Sequence, residues 1–236
     1  MTAVGDILLA LLEHAGDGGT LPELLCQDAQ RRLPVTQVGL CVMNDAGAIE
    51  LSVGSDERAQ ELESLQFALG EGPCMDAFRS GGPALYPDLH ARGAERWPAY
   101  AAAVHELGVG AAFSFPLTVG SISLGVLDLF NDQPAKLSEG DLAQALSYVD
   151  AAVLILLHLQ AIGSSDPLAG LSTAAEPLEG AFHGHAEIHQ ATGMVAVQAS
   201  VSLTSALVLL RAHAYGTGRS LADVAREVLL GKLDFR

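Results

Sequence analysis

The chain has 236 residues, a formal net charge of −16 and hydrophobic side chains at half of its positions, which is enough for one large domain or two modest ones with a sizeable core. That acidity argues against wholesale nucleic-acid binding. The three cysteines, Cys26, Cys41 and Cys74, form no CxxC pair; they argue against a disulfide framework and suit free thiols in a reducing cytoplasm. The apolar run from Ile7 to Leu12 is too short to span a membrane, follows no basic residue and ends at Glu13, so neither a signal peptide nor a membrane anchor is expected.

In chain order, Val4 to His14 and Leu21 to Leu33 read as two amphipathic helices separated by the turn-rich Gly16-Asp17-Gly18-Gly19. Val35 to Met43 is rich in β-branched and apolar residues, and Ile49 to Val53 alternates strictly, with the turn Asn44-Asp45-Ala46-Gly47 between them marking a hairpin. A second hairpin has Phe113, Phe115, Leu117 and Val119 on one strand and Ile122, Leu124 and Val126 on the next, joined by Gly120-Ser121. Pro116 cannot donate to the ladder, so an edge or a bulge is expected there. Between the hairpins, Asp56 to about Leu107 is a helix-and-loop insertion. A long helix from Ser138 to about Ala161 closes the region.

This order describes an α+β fold with an antiparallel sheet and flanking helices. It resembles a GAF domain. The phrases that carry the likeness are Leu69-Gly70-Glu71-Gly72-Pro73-Cys74 with Asp76-Ala77-Phe78, Arg96-Trp97-Pro98, and Leu124-Gly125-Val126-Leu127-Asp128-Leu129. They look like the GAF half of actinobacterial GAF and ANTAR regulators, over about residues 20 to 160.

No catalytic residue, cofactor or metal is expected. Gly70-x-Gly72 opens a helix as a phosphate cradle would, but Glu71 would repel an anion, and Gly72 as N-cap with Pro73 as the first helical residue is the favoured reading. Cys74 has no basic sequence neighbour to lower its pKa, so a packed thiol is favoured over a reactive one. Some GAF-fold enzymes reduce methionine sulfoxide with cysteines; here the three thiols are scattered without a visible resolving pair. Trp97 and Tyr100 are expected to pack over the sheet rather than stack on a cofactor. His183, His185 and His189 are better read as solvent-facing positions than as metal ligands.

In the long helix, Leu142, Ala145, Leu146, Val149, Val153 and Leu156 form one stripe, while Ala151, Leu154, Ile155 and Leu157 leave almost no polar face in the last two turns. One face can cover the sheet, and the other predicts a homodimer interface. Asp150, His158 and Gln160 argue against membrane insertion. Gly163 to Asp166 and Pro167 break the helix. The expected boundaries are a GAF-like sensor domain at 1–162, a linker at 163–177 and a helical domain at 178–236.

Within that last domain three apolar stripes predict a three-helix bundle: Ile188, Ala191, Val195; Leu203, Ala206, Leu207, Leu210, Ala214; and Leu221, Val224, Ala225, Val228, Leu229. Ser202 and Ser220, the latter with Asp223 three residues on, should cap the second and third helices, and Gly216-Thr217-Gly218 should end the second. Gln190-Ala191-Thr192-Gly193-Met194, Ala206 with Leu210-Arg211, Ala214-Tyr215, and Arg219 with Leu221 and Val224-Ala225 resemble the ANTAR domain, a helical RNA-binding output module of bacterial antitermination regulators. Where that family usually has Lys before the glycine, this chain has Thr192.

The charge distribution is compatible with this resemblance. Up to Gly163 there are 7 Lys and Arg against 21 Asp and Glu, whereas from Arg211 five basic residues face three acidic ones. The resemblance implies a cytoplasmic regulator that binds RNA at antiterminator stem-loops, with a small molecule or protein partner at the GAF-like half. The expected RNA surface is Thr192, Gly193, Arg211, Tyr215, Arg219 and Ser220: a guanidinium and a ring one turn apart, beside a helix N-terminus. The alternatives are a DNA-binding regulator, in which the last helix would bring Asp223 and Glu227 to a duplex, and a protein-interaction module.

Overall fold

The computed structural model describes residues 3–14, 19–44, 49–162 and 179–235, which divide into two compact units. The first opens with α1 (Ala3–His14) and α2 (Leu21–Arg32). α2 begins where Thr20 Oγ1 accepts from the Glu23 amide and Glu23 Oε2 accepts from the Thr20 amide, which satisfies two otherwise unpaired donors reciprocally. Most of the predicted turn before it lies outside the described residues.

Strands β1 (Gln37–Met43), β2 (Ile49–Gly54), β3 (Ala84–Tyr86), β4 (Ala111–Val119) and β5 (Ile122–Asn131) form one sheet in the order β2-β1-β5-β4-β3, with antiparallel neighbours throughout. Both predicted hairpins are present, although residues 45–48 of the first turn lie outside the described residues. β3 is an addition, because three residues are too few to carry an alternation signal. Pro116 sits where its missing amide costs least: β3 pairs with β4 only from Ala112 to Ser114, and the β4–β5 register shifts between Leu117 and Thr118.

The insertion folds as α3 (Glu57–Leu69), α4 (Pro73–Ser80), α5 (Leu89–Arg96) and α6 (Pro98–Glu106). After β5 comes α7 (Glu139–Ile162), whose start is closed by Ser138 and Asp141 exchanging hydrogen bonds. Helices α2 and α7 cover one face of the sheet; α3 and α4 cover the other. Both faces are therefore buried, and Val38, Leu40, Leu127 and Leu129 are as inaccessible as Cys41 and Val126 on the opposite side.

The buried side of α7 differs in phase from the predicted stripe. Ala145, Tyr148, Ala151, Ala152, Ile155 and Leu156 are buried, while Leu146, Leu154 and Leu157 are exposed. The physical reason is a contact distant in sequence. Tyr148 donates its hydroxyl to Asp28 Oδ2 at 2.7 Å, which turns that position toward α2, and the small Ala151 and Ala152 permit close approach. By length and composition α7 could cross a membrane, but here it packs on α1, α2, β4 and β5.

The second unit consists of α8 (Glu179–Gln198), α9 (Leu203–Thr217) and α10 (Leu221–Leu229). Its core is Ile188, Ala191, Val195, Ala206, Leu207, Leu210, Ala214, Leu221, Val224, Ala225 and Val228, as the stripes predicted. Leu203 and Leu229 are the exceptions: Leu203 occupies the first position of α9 and stays exposed, ahead of the turn that reaches the core, and Leu229 is only half-buried at the last position of α10. Ser202 accepts from the Ser205 amide, Ser220 accepts from the Asp223 amide, and Gly218, at φ +63°, ends α9 in the left-handed conformation glycine tolerates. Between α8 and α9, Ser200 takes a similar conformation at φ +53° without that freedom. The expected linker at 163–177 lies outside the described residues.

Candidate functional site

In the helical unit, Tyr215 is 72% exposed on α9, one turn beyond Arg211. Arg219 and Ser220 stand at the start of α10. Arg219 is ion-paired with Glu227 at 2.7 Å, and the Ser220 hydroxyl donates to Asp223 Oδ2 at 2.7 Å. Arg226 bridges Glu187 and Asp223, each at 3.3 Å. Solvent-exposed pairs of this kind are weakly held, so a phosphate can replace the carboxylate partner at little cost. Gly193 has open space where a side chain would be, leaving its backbone approachable.

Thr192 departs from the expected surface. It is buried, and its hydroxyl donates to the Ile188 carbonyl at 2.7 Å, so it is not presented to a ligand. A threonine on the inner side of a helix satisfies its hydroxyl on the preceding turn, because burying it unpaired would be costly. His183 and His185 fall where side chains are outside the described residues, leaving that expectation without a structural counterpart.

In the first unit, the sheet face beneath α3 and α4 is polar. Its cross-strand row runs Gly54, Gly39, Asp128, Ser114, Ala84, with Cys41 two residues along β1 from Gly39. A Cβ at Gly39 would collide with the Glu63 carboxylate, so that glycine is what admits an acid from α3. The Sγ atoms of Cys41 and Cys74 lie 3.3 Å apart. One ligand-capable atom from each of Cys41, Glu63, Cys74 and Asp128 falls within 4.8 Å of the others, and all four residues are buried.

Neighbouring groups support part of this cluster and leave the rest unpaired. Ser114 donates its hydroxyl to Asp128 Oδ1, and Gln66 Oε1 accepts from the Cys74 amide at 2.9 Å. Among the described residues, both Glu63 carboxylate oxygens, Asp128 Oδ2 and the Tyr100 hydroxyl are buried without a hydrogen-bond partner. Burial lifts the Glu63 carboxyl well above the usual range, and the nearby Asp128 charge adds to this. Burial likewise pushes Asp128 up to about 6 despite the opposing Ser114 hydrogen bond, and raises the Cys74 thiol and the Tyr100 phenol. Two acids so placed must hold a proton between them or meet a cation.

The sequence pattern of the GAF domain matches residues 20–156. The chain belongs to the GAF domain family. The ANTAR domain pattern matches residues 176–229, so both domains are present. No curated protein matches the chain. Among solved structures it is similar to the GAF domain of a phosphoenolpyruvate-protein phosphotransferase from Coxiella burnetii, at 19% identity and a TM-score of 0.51 over 70% of this chain and 99% of that one. It also aligns with the corresponding domain from Acinetobacter (14%, TM-score 0.48, 70% and 99% covered). A third alignment is with a type II free methionine-R-sulfoxide reductase from Thermoplasma acidophilum (19%, TM-score 0.41, 55% and 85% covered). The Coxiella likeness speaks for the fold alone.

Gly72 caps α4 at φ +123° with Pro73 first in the helix, and Glu71 turns away to accept from the Ala99 and Tyr100 amides at the start of α6. Gly70-x-Gly72 thus serves two helix starts rather than a phosphate. Trp97 and Tyr100 are buried against each other in an edge contact. All three thiols are free and buried. The scattered-thiol expectation fails for two of them, because the sheet and α4 bring Cys41 and Cys74 together across 33 residues of sequence. Sequence reading also missed Glu63 and Gln66. Their signal was two polar residues inside the helical stripe Ala59, Leu62, Glu63, Gln66, Phe67, which is buried throughout.

Proposed function

We propose that this chain is a cytoplasmic, signal-responsive regulator whose ANTAR domain binds RNA stem-loops and promotes antitermination under control of its GAF domain. In this reading residues 1–162 are the sensor, 163–177 the linker and 178–236 the output. The observation that carries it is the ANTAR match at 176–229 together with a ring left 72% exposed on α9 beside the N-terminus of α10. A folded bundle leaves a tyrosine so exposed at no gain to its own core, whereas an unpaired base can stack on it. Gly193, Arg219 and Ser220 complete the proposed surface; Arg211 is half-buried with its Nε and Nη2 inaccessible, and Thr192 is buried.

The expected assembly is a homodimer through the exposed apolar side of α7 and the adjacent α1. Leu146, Leu154 and Leu157 on α7 and Leu9 and Leu12 on α1 are all exposed. Because Ile155 belongs to the core, the interface is tested with Leu154→Glu and Leu157→Glu, which should give a folded monomer by light scattering. The RNA reading is tested by retrieving transcripts that co-purify with the chain and measuring hairpin affinity. Tyr215→Ala should cost about 1–3 kcal/mol of binding with the helical circular dichroism unchanged. If Tyr215→Ala and Arg219→Ala both bind within about twofold of the parent, a change worth under about 0.5 kcal/mol, the surface is wrong.

One observation favours a protein-interaction reading of the bundle. Val197 is 81% exposed, and Leu203, Val208 and Leu230 are also exposed, more apolar surface than RNA contact requires. Absence of any retained transcript, with a protein partner retained instead, would select it.

A further inference from the structure

We propose that Cys41, Glu63, Cys74 and Asp128 form a binding site for one divalent transition-metal ion of the zinc class inside the GAF domain. The donors come from four separate elements, β1, α3, α4 and β5, and converge on one buried point. Two sulfurs and two carboxylate oxygens make a four-donor set that suits a tetrahedral ion, and the thiols favour zinc over the hard cations magnesium and calcium. With zinc–sulfur bonds of about 2.3 Å, tetrahedral geometry sets the sulfurs about 3.8 Å apart. They now stand 3.3 Å apart, so loading requires only that they part slightly.

The surroundings point to a ligand independently of the acids. The Tyr100 hydroxyl is a fully buried donor with no partner among the described residues, and it borders Asp128, as does the Gln66 side-chain amide. An idle donor beside idle acceptors wastes hydrogen bonds in a sealed core. With an ion present, the carboxylates ligate through one oxygen and accept from these donors through the other. Ser114 on Asp128 and Gln66 on the Cys74 amide hold the ligands in place, as outer groups of metal sites commonly do. Gly39 leaves the room that the Glu63 carboxylate occupies. Binding expels the two thiol protons and any proton shared by the carboxyls, so uptake acidifies the solution.

This site is independent of the RNA reading, since it lies wholly within the GAF domain and is assayed without nucleic acid. The test uses the full chain, purified with reductant, stripped by a chelator and titrated with zinc against a chromophoric competitor, and separately with cobalt. The expected result is one equivalent bound per chain, a sulfur-to-cobalt charge-transfer band, and a rise in melting temperature on adding zinc. Cys41→Ser and Cys74→Ser should lose the charge-transfer intensity, while Cys26→Ser, which alters a buried thiol outside the cluster, should keep it. Gln66→Ala leaves all four ligands and should weaken zinc by about 10–100-fold, which preserves a readout if the cysteine variants fail to fold. Three results would overturn the proposal: no uptake by the stripped parent, uptake unaffected by both cysteine variants, or a Cys41–Cys74 disulfide that forms equally fast with zinc present.

Discussion

The two units solve burial in opposite ways. The ANTAR bundle encloses a core in which Thr192 is the buried polar side chain among the described residues, and even that hydroxyl is satisfied within its own helix. The GAF core buries Glu63, Gln66, Asp128 and Ser114 with two thiols between a sheet and its covering helices, and leaves several of these atoms unpaired. An apolar core of short helices has no chemistry to spare, so its function must be sought on its surface. A sheet covered on both faces has a second interior, and there a fold can retain groups that would be intolerable without a partner.

The contrast is broken most strongly by truncating the apolar core. Leu210→Ala should destabilise the bundle by about 2–5 kcal/mol, seen as a lower denaturant midpoint for the C-terminal transition. The same logic predicts the opposite sign in the other core. In chelator-treated protein, Glu63→Met replaces an unpaired buried carboxyl by an apolar chain of similar length and should stabilise by about 1–3 kcal/mol. With zinc bound, the order should invert.

A pH series sharpens this difference. Folding raises Asp128 to about 6 from an ordinary 3.8, so the folded chain holds that proton more tightly than the unfolded one. The stability it contributes is present in full below the unfolded value and is lost as pH rises through the folded value. Metal-free parent should therefore lose stability relative to Asp128→Asn between about pH 4 and pH 6 and run parallel to it above about pH 7. Denaturant titrations of the two proteins side by side provide the measurement.

Smaller effects test the surface of the bundle. Ser200→Gly relieves a left-handed backbone that serine adopts at some cost, and should raise stability by up to about 1 kcal/mol. Thr192→Val should be smaller still for RNA affinity, changing it less than about twofold, or under about 0.5 kcal/mol, because the hydroxyl faces Ile188 rather than a ligand. A large loss with the helices intact would return Thr192 to the binding surface.

Much of this molecule was legible from sequence. Each stripe of the bundle landed on its core except for Leu203 and Leu229, and both hairpins, the caps at Ser202 and Ser220 and the helix start at Gly72-Pro73 appear where local chemistry placed them. Such features depend on neighbours within about four residues in a helix or two in a strand, so the chain carries them openly. The phase of α7 depended instead on a hydrogen bond from Tyr148 to Asp28, 120 residues away. The approach of Cys41 to Cys74 and the meeting of Glu63 with Asp128 depended on sheet register and on a glycine opposite an acid. No local pattern encodes those distances. They arise only when antiparallel strands fix which residues stand abreast and the covering helices lower their polar side chains onto that row.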